Sequence, residues 1–424
     1  MVNPVLLALA QVPGEFFMNN AKIISNIGEL VSYDSDSKSM KVYQNVDMVF
    51  ADGVIREIGK DLFSGELELI DAEGSLITPG FVDPHTHPVF FETRELEYEM
   101  RIMGKSYMEI AAAGGGIRSS VRSLRSADYK ELKGKVKLRL DDFFRYGTTT
   151  IEAKSGYGLS TESELMSLRL LKELDDEHPL DIKRTFLGAH EYPDEYREDH
   201  DAYIDLIIQE MLPAVVREGL AEFCDVFCEE GVFSVRESRR VLEAAKFLGL
   251  GIRLHAEEFK PIGGVQLAAK LGAISADHLT AITDEGIDAL IEGNVIPILL
   301  PATTFFLGLD HYAPGRKMWD RGLPVAIATD FNPGSSMTQS MPLVISIACL
   351  KLKLTPLEAL QAATINAARS LAMDSAVGSL EPDKQADFVI WKFNRYQGIP
   401  YYLGYQAIRS VWKRGREVWS EPGE

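Results

Sequence analysis

Residues 77–87 read Ile77-Thr78-Pro79-Gly80-Phe81-Val82-Asp83-Pro84-His85-Thr86-His87. A short apolar run, Ile77–Asp83, leads into two histidines two positions apart. On extended backbone, residues i and i+2 face the same way, so both imidazoles can reach one metal ion. The same plan recurs along the chain. Apolar, β-branched runs at Gly147–Lys154, Ile182–His190, Phe223–Cys228, Gly251–His255, Ala273–His278, Val295–Leu300 and Pro324–Asp330 bring the total to eight. The intervening stretches have helical spacing. Ser163–Asp175 and Ser234–Leu248 both place apolar residues three and four apart, the pattern of a helix with one buried face. Strands alternating with helices imply right-handed βαβ units and a parallel sheet. Eight such units over roughly 250 residues make an α/β fold of the closed (β/α)8 TIM-type barrel class.

Outward from this barrel, predicted over 77–377, the rhythm changes. Residues 21–76 and 378–424 are rich in short strands and turns, such as Val46–Phe50, Asp52-Gly53 and Phe388–Trp391. Neither flank is large enough to close a core alone, so the two chain ends are expected to combine into one small β-sandwich domain. Thr355-Pro356-Leu357-Glu358 reads as a capping box with proline at the first helical position. Residues 1–20 have a short apolar run with no basic residue before Lys22, and they read as a loosely packed N-terminal extension rather than a signal peptide.

Composition narrows the partners. The 424 residues carry 44 Lys+Arg against 63 Asp+Glu, a net charge of −19, which argues against an electrostatic nucleic-acid binder. No segment reaches the ~20 apolar residues of a membrane span. Three cysteines do not make a disulfide scaffold. Cys224 and Cys228, four apart, read as buried residues in a reducing, cytoplasmic compartment.

The histidines are placed unevenly. His85 and His87 follow the first run, His190 ends the third, His255 the fifth and His278 the sixth, so five of the eight fall at strand ends. Asp330 ends the eighth run. In a parallel barrel those ends converge on one mouth, where active sites sit. His85, His87, His255 and Asp330 together offer three imidazoles and a carboxylate, a donor set for one zinc or iron ion. A metal with an open position lowers the pKa of its bound water toward ~7, and Asp330 can take that proton. Glu258, three residues after His255, stands where it can move protons to or from a substrate nitrogen. His278 is either a further ligand or a free group that polarises a carbonyl. Lys154 is the one strand-end lysine and falls on the second run, not the fourth, which favours a single metal.

The string Pro79–His87, the late Asp330 and the tail Ala386-Asp387-Phe388-Val389-Ile390 resemble the metal-dependent amidohydrolase superfamily. Gly114-Gly115-Gly116-Ile117, Lys154-Ser155-Gly156-Tyr157-Gly158, Gly188-Ala189-His190 and Ala328-Thr329-Asp330-Phe331-Asn332-Pro333-Gly334-Ser335 are similar, within it, to the imidazolonepropionase family. The resemblance runs from about residue 77 to 410. It implies hydrolytic ring opening of imidazolone propionate to N-formimino-L-glutamate in histidine degradation. It implies His85, His87, His255 and Asp330 as ligands of one zinc or iron ion. It sets Arg94, Tyr157, His190 and Glu258 around the substrate, and Asn332, Gly334 and Ser335 near the glutamate part of the product. The backbone after Asp330 is expected to offer N–H groups to a carboxylate. Relatives of this barrel commonly dimerise, so a homodimer is expected. The rival readings are a nucleobase deaminase, which the His255–Glu258 pair also fits, and a catalytically silent barrel.

Overall fold

The computed structural model describes residues 21–62, 67–105, 109 and 114–422, so the N-terminal extension lies outside the described residues. The chain enters through β1 (Lys22–Asp34), β2 (Ser39–Ala51), β3 (Val54–Gly59), β4 (Glu68–Asp71) and β5 (Leu76–Pro79). It then runs through the barrel strands β6 (Phe81–Thr86), β7 (Thr148–Lys154), β8 (Asp181–Ala189), β9 (Phe223–Cys228), β10 (Gly251–Ala256), β11 (Ser275–His278), β12 (Ile296–Leu299) and β13 (Ala326–Ile327). It finishes in β14 (Phe388–Trp391), β15 (Ile408–Lys413) and β16 (Arg416–Ser420).

β6 to β13 form one eight-stranded sheet in sequential order, and every pair in it is parallel. The sheet closes just beyond β13, where Thr86 bridges Phe331 in parallel. Asp330 N donates to His85 O at 3.1 Å and His87 N donates to Phe331 O at 2.8 Å. Asp83 secures the same seam, its carboxylate accepting from Thr329 N at 3.0 Å and Thr329 Oγ1 at 2.5 Å. The eighth strand is shorter than the run Pro324–Asp330 suggested. Closure draws the chain out of regular pairing, and Asp330 takes a left-handed φ of 51° three residues past β13.

Both chain ends meet in a second eight-stranded sheet, ordered β16-β15-β14-β5-β1-β2-β3 with β4 pairing β1. The expected sandwich is, in its hydrogen bonding, one continuous sheet. Ile24, Leu30, Met48, Phe50, Phe388 and Trp412 belong to its own apolar cluster, separate from the barrel's. The run Ile77–Asp83 is divided between the two sheets. Ile77–Pro79 belongs to β5 and pairs with β14, whereas Phe81 onward belongs to the barrel. Gly80 makes the handover because its Cα faces Thr149 so closely that a Cβ there would meet Thr149 Oγ1 at 2.3 Å.

The helices follow the apolar spacing. Thr161–Glu177 and Val235–Phe247 bury leucine and valine faces against the barrel. Thr355 and Glu358 form the expected capping box, with Thr355 N donating to Glu358 Oε2 at 2.7 Å, a device worth about 1 kcal/mol. Cys224 and Cys228 are buried and unpaired. No described helix is long and apolar enough to cross a membrane.

Because Gly80 has no room for a methyl group, Gly80→Ala should destabilise the protein by about 1–3 kcal/mol, the usual cost of overpacking. The check is the urea midpoint of the variant against the wild type, with both sheets expected to melt together.

Candidate active site

The strand ends bring His85, His87, His255, His278 and Asp330 to one point at the barrel mouth, and all five are buried. His85 Nδ1 lies 2.6 Å from Asp277 Oδ2, which commits that nitrogen to a shared proton and leaves Nε2 as a bare acceptor. His85 Nε2 is 3.2 Å from His87 Nε2 and 3.5 Å from Asp330 Oδ1, and His87 Nε2 is 3.4 Å from the same oxygen. His85, His255 and His278 each offer a nitrogen within 4.8 Å of the others, and so do the ligand atoms of His85, His87 and Asp330. Burial holds the His85 and His87 imidazoles well below the ordinary histidine range, and neighbouring cationic groups push the same way. Burial also carries His278 down to about 3. Neutral rings are the form that binds metal. So many lone pairs meeting in a dry space without enough protons repel one another and call for a cation. Imidazoles with one carboxylate are a donor set for a divalent metal.

A second layer aims these ligands. Asp277 on β11 holds His85, and Asp225 on β9 holds His255, with Oδ2 at 2.9 Å from Nδ1 and Oδ1 accepting from the His255 backbone N at 3.1 Å. Asp225 is in turn bonded to Lys154 Nζ at 2.8 Å, and Lys154 reaches Glu152 at 2.7 Å. Burial works against the Lys154 charge, yet Asp225 and Glu152 hold its pKa above the ordinary value. The ammonium group thus lies between two carboxylates. Arg253 completes the layer, fully buried, donating to Pro84 O at 2.8 Å and standing 3.7 Å from Asp277. Thr303 Oγ1 donates to Asp330 Oδ2 at 2.7 Å, leaving Oδ1 turned to the histidines. Asp225, Asp277 and Thr303 were not legible as functional. The one signal for Asp225 was a carboxylate inside an otherwise apolar strand, Phe223–Cys228, whereas Asp277 stands beside His278 in the polar stretch Ser275–His278.

Above the cluster opens a cavity of about 690 Å³, which takes in Arg94, Tyr157, His190, Glu258, Asn332, Gly334 and Ser335 together with His278. All the sequence-predicted substrate residues therefore share one wall system with the metal candidates. His190 Nδ1 faces Gly156 O at 2.9 Å, so its Nε2 is the free acceptor. The Lys154-Ser155-Gly156-Tyr157-Gly158 turn is pinned by Glu164, whose buried carboxylate accepts from the backbone N–H of Gly156, Gly158 and Leu159. That turn presents Tyr157, whose hydroxyl burial keeps protonated. Glu258 lies 3.6 Å from His278 Nδ1, and burial, reinforced by Asp330 and Glu229, pushes its carboxyl well above the usual range.

One expectation is corrected. The N–H groups of Gly334 and Ser335 do not face a ligand, because both donate to Asn332 Oδ1 at 2.8 Å in a side-chain-capped turn. Gly334 serves another purpose. The Arg94 guanidinium lies across it so closely that a Cβ would stand 1.2 Å from Arg94 Nη2. Arg94 Nε and Nη1 are buried and carry no hydrogen bond among the described residues, the state of a group awaiting an anion.

A parallel barrel with histidines and an aspartate gathered at its C-terminal mouth defines the metal-dependent hydrolase class of this fold, and the model of the amidohydrolase family matches residues 76–418. The chain is 52% identical over 353 residues to the imidazolonepropionase of Geobacillus kaustophilus (strain HTA426), covering 83% of each. It is 44% identical over 415 residues to that of Alkaliphilus oremlandii (strain OhILAs), covering 95% of this chain and 98% of the relative. The chain belongs to the imidazolonepropionase family. Among solved structures, 5-methylcytosine deaminase from Klebsiella pneumoniae liganded with 5-fluorocytosine aligns with a TM-score of 0.73 at 15% identity, covering 95% of this chain and 98% of that one. E. coli guanine deaminase aligns at 0.71 and 17% identity, covering 95% and 100%. At such identities the likeness extends to the fold alone.

Asp277 touches the site only through His85. Asp277→Asn should therefore weaken metal affinity about 10- to 100-fold, the usual effect of losing a carboxylate behind a ligating histidine. Competition against a chelator of known affinity checks this without any assay of turnover.

Proposed function

We propose that this chain catalyses the hydrolytic ring opening of 4-imidazolone-5-propanoate to N-formimino-L-glutamate at the site built on His85, His87, His255 and Asp330. The observation that carries the reading is the pairing of that cluster with Arg94, a buried guanidinium with two unpaired nitrogens in the same cavity. The three histidines and Asp330 would hold a divalent metal, zinc or iron, which when bound would make a water acidic enough to attack at neutral pH and would polarise the ring carbonyl.

The residues divide the remaining work. Arg94 takes the propionate carboxylate, since its planar fork matches the two oxygens and Gly334 lets it lie flat. This fixes the ring between Tyr157 and His190 on one side and His278 on the other. Asp330 receives the proton of the attacking water. Its orientation is held by Thr303 on Oδ2 and by its backbone bond to His85 O. As the carbonyl carbon gains its new oxygen, the ring C–N bond breaks and the nitrogen must be protonated to leave. Glu258 is the proton donor, because burial raises its carboxyl pKa and favours the protonated form, and His278 stands beside it at 3.6 Å. Asn332 holds the turn that carries Gly334 and Ser335, so its role is to shape the wall under Arg94.

The reading also extends to the setting. Unpaired cysteines and an acidic surface fit a cytoplasmic enzyme that handles a small molecule, without nucleic acid or membrane, and that pairs as a homodimer.

Protein reconstituted with zinc or iron should consume imidazolone propionate, followed by its ultraviolet absorbance, and should release no ammonia from a panel of nucleobases. His85→Ala should abolish turnover. Glu258→Gln should lower kcat about 10²- to 10⁴-fold with little change in KM, the signature of a lost proton donor. Wild-type protein that ignores the imidazolone, or a Glu258→Gln variant as fast as the wild type, would overturn the assignment.

A further inference from the structure

Arg94 is not the only arginine at this wall. Arg101, on the next turns of the same helical stretch, Glu95–Ile102, also lines the cavity. Its guanidinium sits against a packed pair of rings, 5.5 Å from the centroid of Tyr98 and 5.1 Å from that of Phe306, which are themselves 5.0 Å apart. Nη1 donates to Gly334 O at 3.3 Å, and Nη2 is buried with no hydrogen-bond partner among the described residues. Arg94 lies across the same residue, over the Gly334 Cα. The two guanidinium groups therefore meet at Gly334. Three of their nitrogens, Nε and Nη1 of Arg94 and Nη2 of Arg101, are buried and unbonded. Burial lowers the Arg101 pKa, and repulsion from Arg94 adds to it. The carboxylate nearest the pair, Glu97, stands 3.6 Å from Arg94 Nε and makes no hydrogen bond to it.

Two like charges held together in a half-buried wall, with three buried nitrogens left without a hydrogen bond among the described residues, are a donor set suited to an anion. The Tyr98–Phe306 ring pair on one side and the bond to Gly334 O restrict Arg101, so less side-chain freedom is lost when a ligand arrives. We infer that Arg101 is a second carboxylate-recognition residue, closing with Arg94 a two-guanidinium clamp on the acid tail of the substrate. The inference rests on the proposed reaction for the identity of that acid and on the wall geometry for everything else. The clamp acts on affinity, not on bond breaking, because it grips the tail and not the ring. It makes the enzyme select anionic cyclic amides over neutral ones.

The test uses the full-length, metal-loaded protein with Arg101→Met and Arg101→Lys. Arg101→Met should raise KM for imidazolone propionate about ten- to a hundredfold, the worth of a charge-assisted hydrogen bond, with the loss carried in KM rather than kcat. The methyl ester of the substrate should be handled alike by the wild type and Arg101→Met, and Arg101→Lys should recover part of the loss. Binding of glutarate, a dicarboxylate probe, measured by calorimetry should weaken in parallel. Unchanged KM and unchanged glutarate affinity would overturn the clamp, as would an equal loss on acid and ester. If the wild type fails to turn over the imidazolone yet Arg101→Met still loses glutarate, the clamp stands and the reaction assignment falls.

Discussion

The bonds that close the barrel are the bonds that build the site. β6 and the chain beyond β13 are joined through His85 O, His87 N and the backbone of Asp330 and Phe331, so the last seam of the sheet sets two histidines against one aspartate. A barrel left open there would separate the ligands by the width of a strand. Asp83 and Thr329 lie directly below and reinforce the seam, with Asp83 fully buried and its carboxyl pushed up to about 7 by that burial. Fold stability and ligand geometry are thus one problem at this edge. That also accounts for Asp330 tolerating a left-handed backbone, a strain that surrounding structure must hold in place.

The interior beneath the site is charged where a barrel of this kind is usually filled by aliphatic layers. Glu152, Lys154, Asp225, Arg253 and Asp277 are all fully buried and lie in contact in a connected set. Such a set contributes little net stability, since desolvation offsets most of the attraction, but losing one member costs about 3–5 kcal/mol through the charge left behind. What it provides is orientation. Asp225, behind His255, lies against Lys154, and Asp277, behind His85, lies against Arg253, so the orientation of these two imidazoles is set by the protein itself.

Much of this was legible in the chain. The eight apolar runs located the strands to within a few residues, and Phe223–Cys228 coincides with β9. The His-x-His pair and the strand-end His255 and His278 identified the mouth, because period-two geometry and parallel topology leave them nowhere else to point. The handover at Gly80 is marked by the breaker pair Pro79-Gly80, but it was missed because apolar residues resume directly after it and the two sides read as one strand. Asp225 and Asp277 were missed because a carboxylate within a strand reveals its partner only through tertiary contact. Arg101 was hidden for a different reason. On a short helix with three glutamates and no buried residue it reads as solvated surface, and only the two rings and the shared glycine turn it inward. The role expected of the Gly334 and Ser335 N–H groups failed because Asn332 reaches them first, a local hydrogen bond that sequence spacing permits but does not announce.

The account stands on a single metal position that uses the lone pairs left free by this closure. Anomalous diffraction at the zinc and iron absorption edges, on crystals of the reconstituted enzyme, tests it most directly. One peak, bonded to His85, His87, His255 and Asp330 with Lys154 still between its carboxylates, is the result predicted. A second peak at Lys154, or none among the histidines at full metal loading, would contradict it.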